Sequence, residues 1–136
     1  MHYGYIGLGN LGAACAGCLV KAGFKVTVYD LNPKLAEPLV AMGATLAKSA
    51  EDLAGAVDHV ITCLPSPAVS EAVLREMLPR MKPGASWVEN STLGRDDILR
   101  LLFMCCHPKL PPPQQIACRP PPKARTLPGP TSPRTD

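Results

Sequence analysis

Several features that mark other classes of protein are missing from this chain of 136 residues. No apolar run approaches the roughly 20 residues that a membrane-spanning helix requires. No signal or transit peptide precedes the first predicted strand, which begins near Tyr3. We therefore expect no membrane partner and a cytoplasmic location. A mitochondrial location would require additional residues before Met1.

An excess of charge is also missing from most of the chain. The formal charge of +3 arises after residue 106, where five Lys or Arg residues accompany one Asp. The residues before that point are close to neutral, whereas a nucleic-acid-binding domain presents a basic face. We therefore expect no nucleic-acid partner.

A second cysteine pair with the spacing of zinc ligands is missing as well. Cys15 and Cys18 have the CxxC spacing, but they lie in a predicted helix of small residues, where packing explains them. The segment Cys105-Cys106-His107 has no further ligand nearby. We predict no metal site and reduced thiols.

Strand and helix patterns alternate through the first hundred residues. This alternation predicts an α/β fold, a Rossmann-like doubly wound parallel sheet in the order 3-2-1-4-5. It would occupy one domain, residues 1–104. The predicted strands are 3–8, 25–30, 44–47, 59–64 and 85–90. The predicted helices are 10–22, 35–42, 49–56, 67–81 and one from 96 to about 104, with a late start or a kink at Pro38.

The composition changes in residues 105–136. Ten of the last 29 residues are proline, which predicts an extended, disordered tail. The segments 108–111 and 119–123 resemble ligands of SH3-type grooves. Such matches also occur by chance in proline-rich sequence, so an adaptor role is the weaker alternative.

A glycine-rich turn lies between the first predicted strand and helix. Gly7 permits the tight turn, Gly9 lets the backbone approach a pyrophosphate, and Gly12 permits close packing of helix on strand. Asp30 ends the second strand, where an acid accepts hydrogen bonds from the adenosine ribose. A carboxylate there repels a 2′-phosphate, so NAD is favoured over NADP. Lys34, four residues on, would soften that preference.

Four motifs resemble the β-hydroxyacid dehydrogenase family, of the 3-hydroxyisobutyrate dehydrogenase and 6-phosphogluconate dehydrogenase type. They are Gly-Leu-Gly-Asn-Leu-Gly at 7–12, Tyr-Asp-Leu-Asn-Pro at 29–33, Thr-Cys-Leu-Pro-Ser at 62–66 and Glu-Asn-Ser-Thr at 89–92. The resemblance covers about residues 3–102. It implies reversible hydride transfer between NAD and a small 3-hydroxy acid.

The resemblance also implies roles for individual residues. Leu64 and Pro65 would line the adenine and ribose side, Thr92 would hold the nicotinamide ribose, and Ser91 would lie near the substrate. Val69 stands where the family usually has Asn, and Leu11 stands where Met is commoner. The implied cofactor-binding residues are Ile6, Gly7, Leu8, Gly9, Asn10, Leu11, Gly12, Tyr29, Asp30, Leu31, Asn32, Cys63, Leu64, Pro65, Ser66, Val69 and Thr92.

Two elements that the family places next are not found in the sequence. One is a substrate loop of the Pro-Val-Ser-Gly-Gly type, and the other is a lysine that acts as general acid/base. Lys109 and Lys123 lie outside any matching context. We therefore expect an NAD-binding domain that is inactive as written. The alternative is a non-catalytic dinucleotide-binding module or a truncated or frameshifted product. A homo-oligomer is expected only if the family's helical domain is present.

Overall fold

Five strands and five α-helices alternate along the part of the chain that the structure describes. The computed structural model describes residues 1–105, so the predicted tail after Cys105 and its two proline motifs lie outside the described residues. The strands are β1 His2–Ile6, β2 Lys25–Tyr29, β3 Thr45–Leu46, β4 His59–Thr62 and β5 Ser86–Glu89. The helices are α1 Asn10–Lys21, α2 Glu37–Ala41, α3 Ala50–Ala56, α4 Pro67–Met77 and α5 Arg95–Cys105.

The strands form one parallel sheet in the order β3-β2-β1-β4-β5, which confirms the predicted order. Tyr3 of β1 is paired with Val26 on one side and His59 on the other. The direction of strand addition therefore reverses between β1 and β4. Ligands of doubly wound sheets bind beyond the carboxyl ends of the strands at such a reversal.

Prolines account for the places where the helices differ from the predicted spans. The segment predicted as helix 35–42 starts late, as expected, with a 3-10 turn at Pro33–Leu35 before α2. The predicted helix 67–81 is too long, because α4 ends at Met77 and a 3-10 turn follows at Leu78–Arg80. Pro79 has no backbone N–H to continue the α-helical hydrogen bonds.

Side chains on the two faces of the sheet form two cores. On one face Ile6 and Val60 pack with Leu53 of α3 and Leu74 of α4. The largest buried members of the other core are Tyr5, Leu8, Val28 and Leu39. Trp87 of β5 is half-buried against the first core, and its indole N–H donates to Thr62 Oγ1 at 2.8 Å.

Within residues 1–105, no helix is long and apolar enough to cross a bilayer. The same residues contain no group of three or more side chains arranged to hold a metal ion. The segment Cys105-Cys106-His107 extends past the described residues.

Leu53 supplies a direct test of the first core. Its side chain has no exposed surface, whereas Leu99 on α5 is 47% exposed. Leu53→Ala should lower the free energy of unfolding by about 2–5 kcal/mol, because it removes buried methyl groups and leaves a cavity. Urea denaturation followed by circular dichroism measures the change. The matched change Leu99→Ala should cost less than about 0.5 kcal/mol, and equal losses would contradict this packing.

Candidate functional site

The turn between β1 and α1 is shaped by two glycines that have no room for a side chain. Gly7 has a φ of +91°, and a Cβ there would lie 2.2 Å from the carbonyl oxygen of Cys63. A Cβ on Gly12 would lie 1.9 Å from the carbonyl oxygen of Gly7. The Gly7 N–H donates to the Tyr29 carbonyl at 3.0 Å. These contacts hold the turn close to both β2 and the loop after β4.

Gly9 differs from those two glycines because the space beside it is open. It precedes α1 with no side chain capping the helix, and a Cβ there would meet no atom within 4 Å. The first internal bond of α1 runs from the Ala13 N–H to the Gly9 carbonyl at 2.8 Å. The three amides before Ala13 have no acceptor within the helix. A helix start of this kind, with no acidic residue in its first turn, suits an anion.

The Asp30 carboxylate is fixed at the opposite side of the same turn. Its Oδ2 accepts the Leu8 N–H at 2.7 Å, and its Oδ1 accepts the Asn32 N–H at 2.8 Å. Asn32 in turn accepts the Lys34 N–H at 3.3 Å through its own side chain. An ionised carboxylate has about four lone-pair positions, so Asp30 can still accept hydrogen bonds from a ligand.

These groups surround one cleft of about 500 Å³ at the carboxyl ends of β1, β2 and β4. Most of the residues predicted to bind the cofactor are brought together there. Three further residues were not predicted, namely Leu35, Val73 and Glu76. The lining residues are Ile6, Gly7, Gly9, Asn10, Leu11, Gly12, Tyr29, Asp30, Leu31, Leu35, Cys63, Leu64, Pro65, Val69, Val73 and Glu76.

Helical spacing could have identified two of the unpredicted residues. Val69, Val73 and Glu76 lie at positions i, i+4 and i+7 of α4, so they share one face of that helix. Because Val69 was predicted to contact the cofactor, Val73 and Glu76 should have followed from the helix geometry. Leu35 lies in the 3-10 turn after β2 and carries no comparable signal.

Four predicted residues lie outside the lining of the cleft. The Leu8 side chain is buried in the second core, and only its backbone N–H contacts Asp30. Asn32 and Thr92 are exposed. Ser66 caps the start of α4, where its Oγ accepts the Val69 N–H at 3.4 Å, and it lines a neighbouring hollow instead.

Ser91, predicted to lie near the substrate, joins the loops after β4 and β5. Its Oγ accepts the Leu64 N–H at 2.7 Å and donates to the Glu89 carboxylate. The Ser91 N–H also donates to Glu89 Oε1 at 2.9 Å. Both functions of the hydroxyl are therefore used inside the protein. Through this contact Ser91 holds Leu64 at the wall of the cleft.

Tyr5 in the second core and Cys63 at the wall of the cleft are both held in uncharged forms. The Tyr5 hydroxyl is buried without a hydrogen bond of normal geometry among the described residues, and burial raises its pKa to about 12. Burial, reinforced by the neighbouring Cys15 thiol and the Glu89 carboxylate, raises the pKa of Cys63. Cys63 at the cleft wall is thus held as a neutral thiol, which is a poor nucleophile.

The close contact at Gly12 and the open space at Gly9 predict opposite outcomes for two matched variants. Gly12→Ala should cost about 3 kcal/mol of unfolding free energy, since its methyl group would overlap the Gly7 carbonyl. Gly9→Ala should change stability by less than about 1 kcal/mol, because the space is open. Urea denaturation of both variants checks the difference. A stable Gly12→Ala variant would show that the helix does not lie this close to the strand.

Tyr5 predicts a specific loss of stability in alkali. The pKa of Tyr5 is raised in the folded chain. Its contribution to the free energy of unfolding is therefore fully present below its unfolded pKa near 10 and is lost as the pH rises towards 12. Between pH 9 and pH 11 the unmodified chain should lose about 1 kcal/mol more unfolding free energy than Tyr5→Phe. Urea denaturation at both pH values measures this. Identical losses in the two proteins would place the Tyr5 hydroxyl in contact with water.

Comparison with known proteins places this geometry in a family. Residues 2–102 match the model of a family described as the NAD binding domain of 6-phosphogluconate dehydrogenase. The chain is 37% identical over 96 residues to a mitochondrial 3-hydroxyisobutyrate dehydrogenase of Drosophila melanogaster, covering 70% of this chain and 30% of that protein. It is 38% identical over 93 residues to an NAD-dependent L-serine dehydrogenase of Pseudomonas aeruginosa, covering 66% of this chain and 31% of that protein.

A solved structure shows the same relationship. The 3-hydroxyisobutyrate dehydrogenase of Mycobacterium tuberculosis, determined with L-serine, has a TM-score of 0.73 at 29% identity. The match covers 76% of this chain and 36% of that chain. The chain therefore spans about a third of the length of the relatives it matches. The family match covers residues 2–102 and agrees with these relatives. The chain therefore belongs to the family of dinucleotide-binding domains represented by 6-phosphogluconate dehydrogenase, and 3-hydroxyisobutyrate dehydrogenases are among its relatives.

Proposed function

We propose that the cleft binds NAD and that the chain serves as the cofactor domain of a dehydrogenase acting on a small 3-hydroxy acid. The observation that carries the proposal is the pairing of Asp30 with the open start of α1. A carboxylate fixed by two backbone amides and a helix start with unused amides face one cleft. The carboxylate suits ribose hydroxyls, and the unused amides at the start of α1 suit a pyrophosphate.

The remaining lining residues fit the other parts of such a ligand. The pyrophosphate would lie beside Gly9, where no side chain occupies the approach to the helix. Leu31, Leu35 and Leu64 give apolar surface for the adenine ring. Val69 contributes only methyl groups to the cleft, whereas the Asn that the family usually has at this position would offer a hydrogen bond.

The preference for NAD follows from the charge of Asp30. The 2′-phosphate of NADP would come close to this carboxylate, and the two negative charges repel. The carboxylate is held by Leu8 and Asn32, so it does not turn away at low cost. Lys34 follows in the same turn, where its backbone N–H donates to the Asn32 side chain, and its side chain does not line the cleft. We infer that Asp30 outweighs Lys34 because its oxygens lie at the cleft itself.

The proposed reaction is hydride transfer between the nicotinamide ring and the hydroxyl-bearing carbon of the substrate. Support for the substrate class comes from the relatives, whose names specify 3-hydroxyisobutyrate and L-serine. Both compounds are small carboxylic acids with a hydroxyl group at C3. In this proposal the described residues bind and orient the cofactor. No lysine is among the described residues that line the cleft, and we assign the proton transfer to none of them.

Calorimetric titration of NAD and NADP into the full chain tests the proposal. NAD should bind more tightly than NADP, because Asp30 accepts from its ribose. Asp30→Asn should weaken NAD binding about 10-fold and narrow the difference between the cofactors, since a charged hydrogen bond is worth about 1.5–3 kcal/mol. The matched control Asp96→Asn changes an exposed carboxylate of α5 and should leave both affinities unchanged.

Circular dichroism shows whether the chain is folded, and a parallel activity assay shows whether it catalyses the proposed reaction. A folded chain that binds neither cofactor would contradict the proposal. Tighter binding of NADP than NAD would contradict the assigned role of Asp30. Turnover of 3-hydroxyisobutyrate or L-serine with NAD would show a complete enzyme. Binding without turnover would show a dinucleotide-binding module.

A further inference from the structure

One acid in the wall of the cleft, Glu76 of α4, binds neither the ribose nor the pyrophosphate in the proposed complex. It shares a helix face with Val69 and Val73, and all three residues line the cleft. The two valines are half-buried, whereas Glu76 is exposed. At 1.5 Å per residue, Glu76 lies about 10 Å along the helix from Val69. This face of α4 therefore gives the cleft an apolar surface that ends in a carboxylate near solvent.

The other acid of α4, Glu71, has its charge compensated outside the cleft. Its Oε1 is paired with Arg75 at 2.6 Å and its Oε2 with Arg100 at 3.1 Å, beside a neighbouring hollow. Glu76 instead joins Asp30 in the cleft, and none of the described residues lining it carries a positive charge. A carboxylate repels a pyrophosphate, and a hydrogen bond accepted from the ligand offsets that repulsion.

Only a few groups on NAD can donate a hydrogen bond to such a carboxylate. They are the ribose hydroxyls, the carboxamide of nicotinamide and the 6-amino group of adenine. The hydroxyls of the adenosine ribose match Asp30. The purine is bonded directly to that ribose, so it would lie beside Leu31 and Leu35, which follow β2 and line the same cleft. Its 6-amino group is at the end of the ring system remote from the ribose, where Glu76 offers a second acceptor.

The packing of Val73 places Glu76 with the adenosine half of NAD rather than with nicotinamide. Val73 and Tyr29 both pack against the first core, and both line the cleft. Tyr29 directly precedes Asp30, and α4 continues from Val73 to Glu76 on the same helix face. The part of the cleft that contains Glu76 therefore adjoins the strand that holds the adenosine ribose.

Given that the cleft binds NAD as proposed, we infer that Glu76 selects the base: its carboxylate accepts a hydrogen bond from the 6-amino group of adenine. Leu31, Leu35 and Val73 give apolar surface for the faces of the ring. Hypoxanthine and guanine have a carbonyl oxygen at position 6, and two acceptors that face each other repel. The cleft thus discriminates 6-amino from 6-oxo purines, which stacking on apolar surface alone does not do.

Calorimetric titration of two dinucleotides into the full chain tests this selection. NAD and nicotinamide hypoxanthine dinucleotide carry the same charge and differ only in the purine. NAD should bind about 5- to 10-fold more tightly, because only NAD donates a hydrogen bond from position 6 to Glu76. A difference between these two ligands that depends on Glu76 must come from the purine and not from nicotinamide.

Glu76→Gln tests the residue directly. A carboxamide accepts from a 6-amino group through its oxygen and donates to a 6-oxo group through its nitrogen. The ratio of the two affinities should therefore fall to within about 2-fold, with the hypoxanthine dinucleotide binding more tightly than it does to the unmodified chain. The control Glu51→Gln changes an exposed acid at the start of α3, which does not line the cleft, and should keep the original ratio. Circular dichroism shows whether each variant is folded.

Equal affinity of the unmodified chain for the two dinucleotides would overturn the role of Glu76 and leave the proposed NAD site in place. The same conclusion would follow if Glu76→Gln kept the original ratio or weakened both dinucleotides equally, since a merely structural role gives that result. A folded chain that bound neither dinucleotide would contradict the NAD site itself, and the selection of the base with it.

Discussion

The close approach of α1 to the sheet is the constraint on which the rest of the structure depends. The backbone of Gly12 passes so near the Gly7 carbonyl that only hydrogen fits between them. Gly7 approaches the Cys63 carbonyl so closely that a side chain would not fit there either. One turn is thereby packed against the first helix and the loop after β4 at once. These contacts hold the turn, α1 and the loop after β4 together, and all three segments contribute residues to the lining of the cleft.

Much of this arrangement could be predicted from the sequence because it depends on local chemistry. Gly7 and Gly12 are required by the geometry of one turn, and Asp30 accepts the backbone N–H groups of Leu8 and Asn32, so these requirements are visible as residue types. The order of the strands followed from the alternation of elements and the rules for parallel connections. The helix start at Ser49 was visible for the same reason, since its side chain accepts the Asp52 N–H at 3.1 Å.

The features that were missed depend on contacts between distant parts of the chain. The half-buried state of Trp87 depends on how far α5 covers β5, which no pattern within the strand specifies. The engagement of Ser91 with Leu64 joins residues 27 positions apart. The length of α4 was overestimated because apolar spacing continued past Pro79, although the α-helix did not. The spacing of apolar residues shows which face of a helix is buried, but here a proline determines where the helix ends.

Two acids at the carboxyl ends of β2 and β5 differ in how their oxygens are hydrogen-bonded. Both oxygens of Asp30 accept backbone amides, and the group still faces an open cleft. Glu89 has one oxygen fully engaged, and the other has no donor within the described part of the chain. The same residue class thus serves as a preorganised acceptor at one position and as an incomplete contact at the other. Sequence type alone does not distinguish these situations.

The contact between Trp87 and Thr62 gives the chain an optical reporter of its own. Trp87 is the single tryptophan in the sequence, and it joins β5 to β4 through its indole N–H. Thr62 ends β4, immediately before the Cys63 and Leu64 wall of the cleft. The emission of this one indole therefore reports on the contact between the outer strand β5 and the strand that leads into the cleft. Changes in its wavelength and intensity can be read without any attached dye.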